Sequence, residues 1–121
     1  GVIFPGFVFG EKLAALFRNA TLFVLPSDLE GYPIVLLEAM AYGTPPLASD
    51  IPPNVEILGP GGMFFRAGDV DSLAEQLAGC LARASELKEQ ALAARAAAVE
   101  QHDWDLVTAR TVAVYEEVLG R

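Results

Sequence analysis

Cysteine, histidine and tryptophan occur once each in this chain, and positive charge is scarce. The single thiol, Cys80, cannot close an internal disulfide, which excludes a secreted scaffold held together by cross-links. The single histidine, His102, precedes a helix start and has no partner motif, so no metal site is expected. Eight Lys and Arg stand against sixteen Asp and Glu, a net charge of -8. Such a chain repels phosphate backbones, so nucleic acid is not expected as a partner. Broad contact with anionic lipid is disfavoured as well, leaving only a local basic patch open. No apolar run reaches the ~18 residues of a membrane span. Neither an initiator methionine nor a signal peptide stands at the start. The abrupt opening at Gly1-Val2-Ile3-Phe4 reads as that of a piece cut from something longer.

What the chain does have is apolar content. It is 121 residues long, 53% hydrophobic and 20% charged. That length allows one domain, and that balance excludes a typical disordered chain. A domain of this size buries about 65% of its unfolded surface, enough to fold with little margin.

Apolar β-type runs alternate with helical ones. Val2–Phe4 reads as a short strand stopped by Pro5-Gly6. Leu13, Leu16 and Phe17 recur at helical spacing and predict a helix over Glu11–Asn19. Thr21–Leu25 is apolar throughout and fits a strand buried on both faces. Pro33–Tyr42 reads as a helix, with Pro in its first turn and Gly43 just past its end. Leu47–Ser49 and Met63–Phe65 read as further strands, with a turn over Asp50–Asn54 and one helical turn over Val55–Leu58 between them. A helix is expected from Asp71 or Ser72, where Ser72 and Glu75 have capping-box spacing. The alanine-rich stretch to Val99 extends it or forms a second helix, and Asp103 caps a last one over Trp104–Leu119. Cys80 falls on an apolar helix face and is expected to be buried.

This alternation predicts an α/β fold with a parallel sheet, whose ligands sit beyond the carboxyl ends of the strands. The stretch after Thr21–Leu25 is therefore the place to look. Its helix carries one charged residue, Glu38, on an otherwise apolar surface. Glu30 precedes the helix by a few residues. Both carboxylates can point into one cleft, where a helix N-terminus offers N–H groups to an anion. The residues equally allow Glu38 to be an exposed polar position and Glu30 a helix-start residue.

The stretch from Pro26 to Ser49 resembles the signature of the group 1, retaining, GT-B-fold glycosyltransferases. The likeness lies in Pro26-Ser27, Glu30, the Gly31-Tyr32 pair, and Glu38 eight positions after Glu30. It continues through Ala39-Met40-Ala41, Gly43, Pro45 and Ala48-Ser49. Phe4-Pro5-Gly6, Leu16–Ala20, Gly62–Phe65, Gly68-Asp69 and His102-Asp103-Trp104 resemble flanking parts of the same pattern.

The resemblance implies a nucleotide-diphosphate sugar as donor and no further cofactor. In such a protein Glu38 would accept hydrogen bonds from the ribose hydroxyls. Glu30, the catalytic candidate, would contact the donor sugar near the reacting centre. The N–H groups of Gly31, Tyr32, Ile34 and Val35 would face sugar and diphosphate. Ser27 and Ser49 would line the strand ends, although a serine there is more often a cap or turn residue. Two positions depart from the pattern. Pro33 stands where the family commonly has Gly, which removes one N–H and stiffens the loop. Pro46 stands where a β-branched residue is usual, and proline is best tolerated at a strand's first residue.

The implied fold class is α/β, a partial Rossmann-like parallel sheet forming the C-terminal half of a GT-B second domain, with C-terminal helices. Residues 1–121 would then be the donor-binding portion of a glycosyltransferase, inactive alone. The N-terminal domain, the basic clamp for the diphosphate and the acceptor site would lie outside it. The acceptor, whether saccharide, lipid-linked or small molecule, is not specified. A cytoplasmic protein is implied, with peripheral contact at the inner membrane face left open. The sheet order of such a domain is 3-2-1-4-5-6, which would make Val2–Phe4 strand three and the later runs strands four to six. Without strands one and two, Thr21–Leu25 would show an open edge. That edge, or the stripe bearing Leu106, Val112, Tyr115 and Leu119, would then be exposed or used in self-association. Two alternatives are a non-catalytic nucleotide-recognition module and a sugar-nucleotide epimerase of related fold. A response-regulator site, considered because Asp28 follows a strand, is not expected, since Asp28 lacks the acidic pair and lysine such a site needs.

Overall fold

A computed structural model describes residues 1–120. The chain runs α1 (Gly10–Asn19), β1 (Phe23–Leu25), α2 (Ile34–Ala41), β2 (Pro46–Ser49), α3 (Pro52–Leu58), β3 (Met63–Phe65), α4 (Val70–Ala82), α5 (Ala84–Gln101) and α6 (Trp104–Leu119). The three strands form a parallel sheet in the order β1-β2-β3. Val24 pairs with Leu47, and Leu47 with Met63. The α/β class with a Rossmann-like parallel sheet is therefore as expected, and three of the four strands lie where the apolar runs place them.

Val2–Phe4 is the exception. It forms no strand, and Val2, Ile3 and Phe4 are 83%, 85% and 91% exposed. Three apolar residues have the propensity for a strand, but a strand exists only through its neighbour's ladder. Among the described residues β1 pairs with β2 alone, so its other edge is free.

The sheet is covered on both faces. On one, Leu47, Phe65, Cys80 and Leu87 cluster with Leu22, Val24, Leu73 and Leu77 around them. On the other, Leu36, Ala48 and Ile57 pack with Phe23, Leu25 and Leu37. β2 carries residues of both clusters, with Leu47 and Ala48 each at 0% exposure. This is the burial on both faces that a continuous apolar run in a parallel strand implies.

Helix boundaries follow backbone chemistry more closely than hydrophobic spacing. α4 begins at Val70 because the Asp69 side chain accepts from Ser72 N–H at 2.8 Å. The capping role expected of Ser72 thus belongs to Asp69, and the Ser72 hydroxyl accepts from Arg66 N–H instead. α3 begins at Pro52, within the expected turn, since proline in the first turn forfeits only an N–H that a helix leaves unpaired. The alanine-rich stretch is a separate helix, with the break at Arg83. Asp103 caps α6 as expected, accepting from Asp105 N–H at 2.7 Å.

α2 ends in a Schellman turn. Gly43 N–H donates to Met40 O and Thr44 N–H to Ala39 O, both at 2.9 Å, with Gly43 at φ +66°. The buried Thr44 hydroxyl then donates to Phe17 O, and the Phe17 ring stacks on Tyr42 at 5.5 Å. These contacts fix α1 against the end of α2. Pro46 is the first residue of β2, where its missing N–H is tolerated, and the adjacent bond runs from Phe23 N–H to Pro45 O at 2.9 Å.

Cys80 is buried, 4% exposed, with its Sγ 3.5 Å from Met63 Sδ. Burial pushes its thiol above the usual range, and the nearby Arg83 offsets part of that. The thiolate is the reacting species. An aromatic disulfide reagent at pH 8 is therefore expected to label the folded chain slowly and the urea-unfolded chain fast. Rapid native labelling would contradict the burial.

Candidate functional site

Three loops meet beyond the carboxyl ends of the strands: Pro26–Pro33 after β1, Asp50-Ile51 after β2, and Arg66–Asp69 after β3. They are tied to one another. Asp50 N–H donates to Phe65 O, and the Asp50 carboxylate accepts from Ala67 N–H, both at 2.9 Å. Arg66, the basic residue nearest this edge, is paired with Asp69 at 2.9 Å. No lysine or arginine occurs between Lys12-to-Arg18 and Arg66 in the sequence, so the β1–α2 loop carries no cation of its own.

Ser27 and Glu30 form the first part of the site. The Ser27 hydroxyl donates to Glu30 Oε1 at 2.6 Å, and both residues are half-buried. A carboxylate three residues after a serine reaches it easily within one turn of chain, so this pairing is local. Ser27's own carbonyl accepts from the Ser49 hydroxyl at the end of β2.

The start of α2 forms the second part. Its N-cap, Pro33, provides no side-chain acceptor. Ile34 N–H, one of the expected ligand donors, is engaged by Tyr32 O at 2.9 Å, and Leu36 N–H by Pro33 O at 3.0 Å. Val35 N–H has no partner among the described residues. It stays available at the positive end of the helix dipole.

Glu38 lies one turn further along. Ile34, Glu38 and Ala41 share a face at i, i+4 and i+7, while Leu36 and Ala39 on the opposite side are at 0% exposure. That face lines a cleft of about 500 Å³ with Tyr32 and Leu37. The far wall is the α5–α6 joint, with Ala98, Val99, His102, Asp103, Trp104 and Val107. Tyr32 OH lies 3.3 Å from His102 Nδ1 across the cleft mouth.

Of the expected site residues, the structure thus brings Tyr32, Ile34 and Glu38 to one cleft and joins Ser27 to Glu30 at the strand ends. Glu30, Gly31 and Val35 are not among the cleft's lining residues. Glu38 is solvent-exposed, free to accept hydrogen bonds from a ligand's hydroxyls. His102 gave no sign of this placement in the sequence, because its partner lies seventy residues away. Asn54 was also missed. It is fully buried and donates to Ser49 O at 2.9 Å and Ser49 Oγ at 3.0 Å. Among the described residues no three His, Cys, Asp or Glu side chains converge as metal ligands would, and no helix is long and apolar enough to cross a membrane.

A parallel α/β sheet with carboxylates and an open helix N-terminus beyond its strand ends is a Rossmann-like arrangement, a fold class whose ligands generally sit at that end of the sheet. The family can be stated as well. Residues 1–99 match the model of the glycosyl transferases group 1, and the chain belongs to that family. It is 40% identical over 114 residues to an MMP alpha-(1->4)-mannosyltransferase of Mycolicibacterium hassiacum, covering 92% of this chain and 28% of that one. It is also 40% identical over 118 residues to a phosphatidyl-myo-inositol mannosyltransferase of Mycobacterium leprae, covering 95% and 31%. Among solved structures, sucrose-phosphate synthase from Thermosynechococcus elongatus superimposes with a TM-score of 0.81 at 25% identity, over 91% of this chain and 28% of that one. The chain therefore spans less than a third of the length of these relatives.

Proposed function

We propose that residues 1–121 are the donor-binding portion of a retaining glycosyltransferase, the C-terminal half of its second domain. The whole protein would transfer a sugar from a nucleotide-diphosphate sugar to an acceptor. The observation that carries this reading is the arrangement around α2. A tethered carboxylate, Glu30, stands at the strand end, an unpaired N–H, Val35, opens the helix, and an exposed carboxylate, Glu38, follows one turn later. Glu38 accepts from ribose hydroxyls, Glu30 contacts the donor sugar at the reacting centre, and the N–H groups of Gly31, Tyr32 and Val35 receive diphosphate charge. Ser27 holds Glu30 in place for that contact. The net charge of -8 and the lack of a cation in the loop support a diphosphate clamp supplied from outside this segment, and on this reading the acceptor site lies outside it too.

Leu106, Val112, Tyr115 and Leu119 of α6 are exposed, with Tyr115 at 65% and Leu119 at 66%. On this reading they and the free edge of β1 are covered by the rest of the protein, and in its absence they favour self-association. A cytoplasmic location, with peripheral contact at the inner membrane face, belongs to the same reading.

The test has two arms. The longer protein is assayed with a panel of nucleotide-sugars, mannosyl donors first, because the two curated relatives are mannosyltransferases by name. Transfer that retains the anomeric configuration is the expected result. In parallel, nucleoside diphosphates are titrated onto the 121-residue chain, where binding should be weak for want of the clamp and transfer absent. Epimerisation of the donor, or tight binding without transfer by the long form, would overturn the reading.

A further inference from the structure

We propose that Ser49 and Asn54 are positioning residues that hold the Glu30 carboxylate through Ser27. The proposal rests on the role given to Glu30 above and adds the device that keeps it in place. Four residues from three separate elements form one directed run of hydrogen bonds. Asn54 Nδ2, on α3, donates to Ser49 Oγ at 3.0 Å and to Ser49 O at 2.9 Å. The Ser49 hydroxyl, at the end of β2, donates to Ser27 O. The Ser27 hydroxyl, on the loop after β1, donates to Glu30 Oε1 at 2.6 Å.

The directions are mutually consistent. Because Asn54 donates to Ser49 Oγ, the hydroxyl proton of Ser49 is left for Ser27 O. That bond fixes the Ser27 backbone, and the Ser27 hydroxyl can then hold a carboxylate oxygen. Ser49 and Asn54 are 1% and 0% exposed, so no water competes for these donors. Asn54 Oδ1 has no partner among the described residues, although it is buried. A buried amide with one atom unpaired is a poor choice for stability alone. The atom this arrangement uses is Nδ2, which donates to both Ser49 oxygens.

The consequence is a carboxylate on a loop with one oxygen fixed and the other free. Glu30 is positioned for a ligand without being buried. Positioned groups of this kind act on the reacting step, where small misplacements are costly, more than on initial binding.

The experiment is a double-mutant cycle in the full-length glycosyltransferase. Ser49→Ala removes one oxygen and leaves Asn54 Nδ2 bonded to Ser49 O. It should lower kcat about tenfold while the KM for the donor changes less than about twofold. In a Glu30→Ala background the same substitution should lower kcat no further, because its route is gone. Equal losses in both backgrounds, or wild-type kcat for Ser49→Ala, would overturn the proposal. Ser27→Ala, on the half-buried loop, carries the same cycle should Ser49→Ala unfold the protein, and additivity there overturns it equally. A readout independent of turnover is the carboxyl carbon resonance of Glu30 in glutamate-labelled protein, assigned with Glu30→Gln. It should move in Ser49→Ala, and an unmoved signal refutes the positioning even in a protein that transfers no sugar. Loss of transfer in the wild type, with the resonance moving as expected, would instead count against the reading of the whole protein.

Discussion

Glu38→Ala and Glu30→Ala should separate binding from turnover in the full-length protein. Glu38 sits exposed on α2, in the cleft with Tyr32 and Ile34, where it can accept from two adjacent hydroxyls. Losing a charge-assisted acceptor of that kind weakens nucleotide affinity by ~1–3 kcal/mol. Calorimetry with a nucleoside diphosphate reads this directly. Glu30 is held at the strand end by Ser27, away from the cleft lining, so its removal should leave nucleotide affinity within about twofold. It should lower kcat by about one to three orders of magnitude, the scale for a fixed group acting on developing charge. The two variants thus have opposite signatures. If both kept wild-type affinity and turnover, the residues would have no part in donor binding.

The second large effect is on stability. Leu47 is the second of four residues in the middle strand, at 0% exposure, within the cluster of Phe65, Cys80 and Leu87. It pairs with Val24 on one side and Met63 on the other. Leu47→Ala leaves a hole bounded by two ladders that cannot close in without breaking register, so collapse is limited. The expected cost is ~2–5 kcal/mol, a large part of the ~5–15 kcal/mol available to a domain. Leu81→Ala, at a helix position 53% exposed, should cost well under half as much. Denaturant midpoints of the two variants measure the difference. A similar shift for both would mean that the sheet interior is not the main source of stability.

The parts legible in the sequence are those set by local pattern. Thr21–Leu25, Leu47–Ser49 and Met63–Phe65 are apolar runs that pair because each has a neighbour. Val2–Phe4 has the same composition but no neighbour, and propensity alone cannot supply one. Capping went astray for a different reason. Asp69 and Ser72 offer overlapping boxes, and the choice between them depended on Arg66 N–H, which arrives from the strand before. Ser27 and Glu30 were named through the resemblance, and the bond between them, though local at three residues apart, was not read from the sequence. Tyr32 and His102 lie seventy apart, and Asn54 lies in what reads as a turn, facing a strand residue. Such contacts exist only after α5 has turned back along α2 or α3 has closed on β2. Periodicity carries no trace of them.

The sheet order β1-β2-β3 repeats the order of the chain, and this bears on how the segment is made. β2 and then β3, emerging during synthesis, each meet a neighbour that is already complete, and no later insertion between existing strands is needed among the described residues. Growth from the N-terminal side can therefore proceed strand by strand. The cleft beside Glu38 cannot form that way. Its far wall is the α5–α6 joint, which is made after all three strands, and its near wall waits without that partner until then. The α2 face that bears Glu38 is thus open from the time α2 is made until residues 84–107 have followed, and a pause in translation between the two would lengthen that interval.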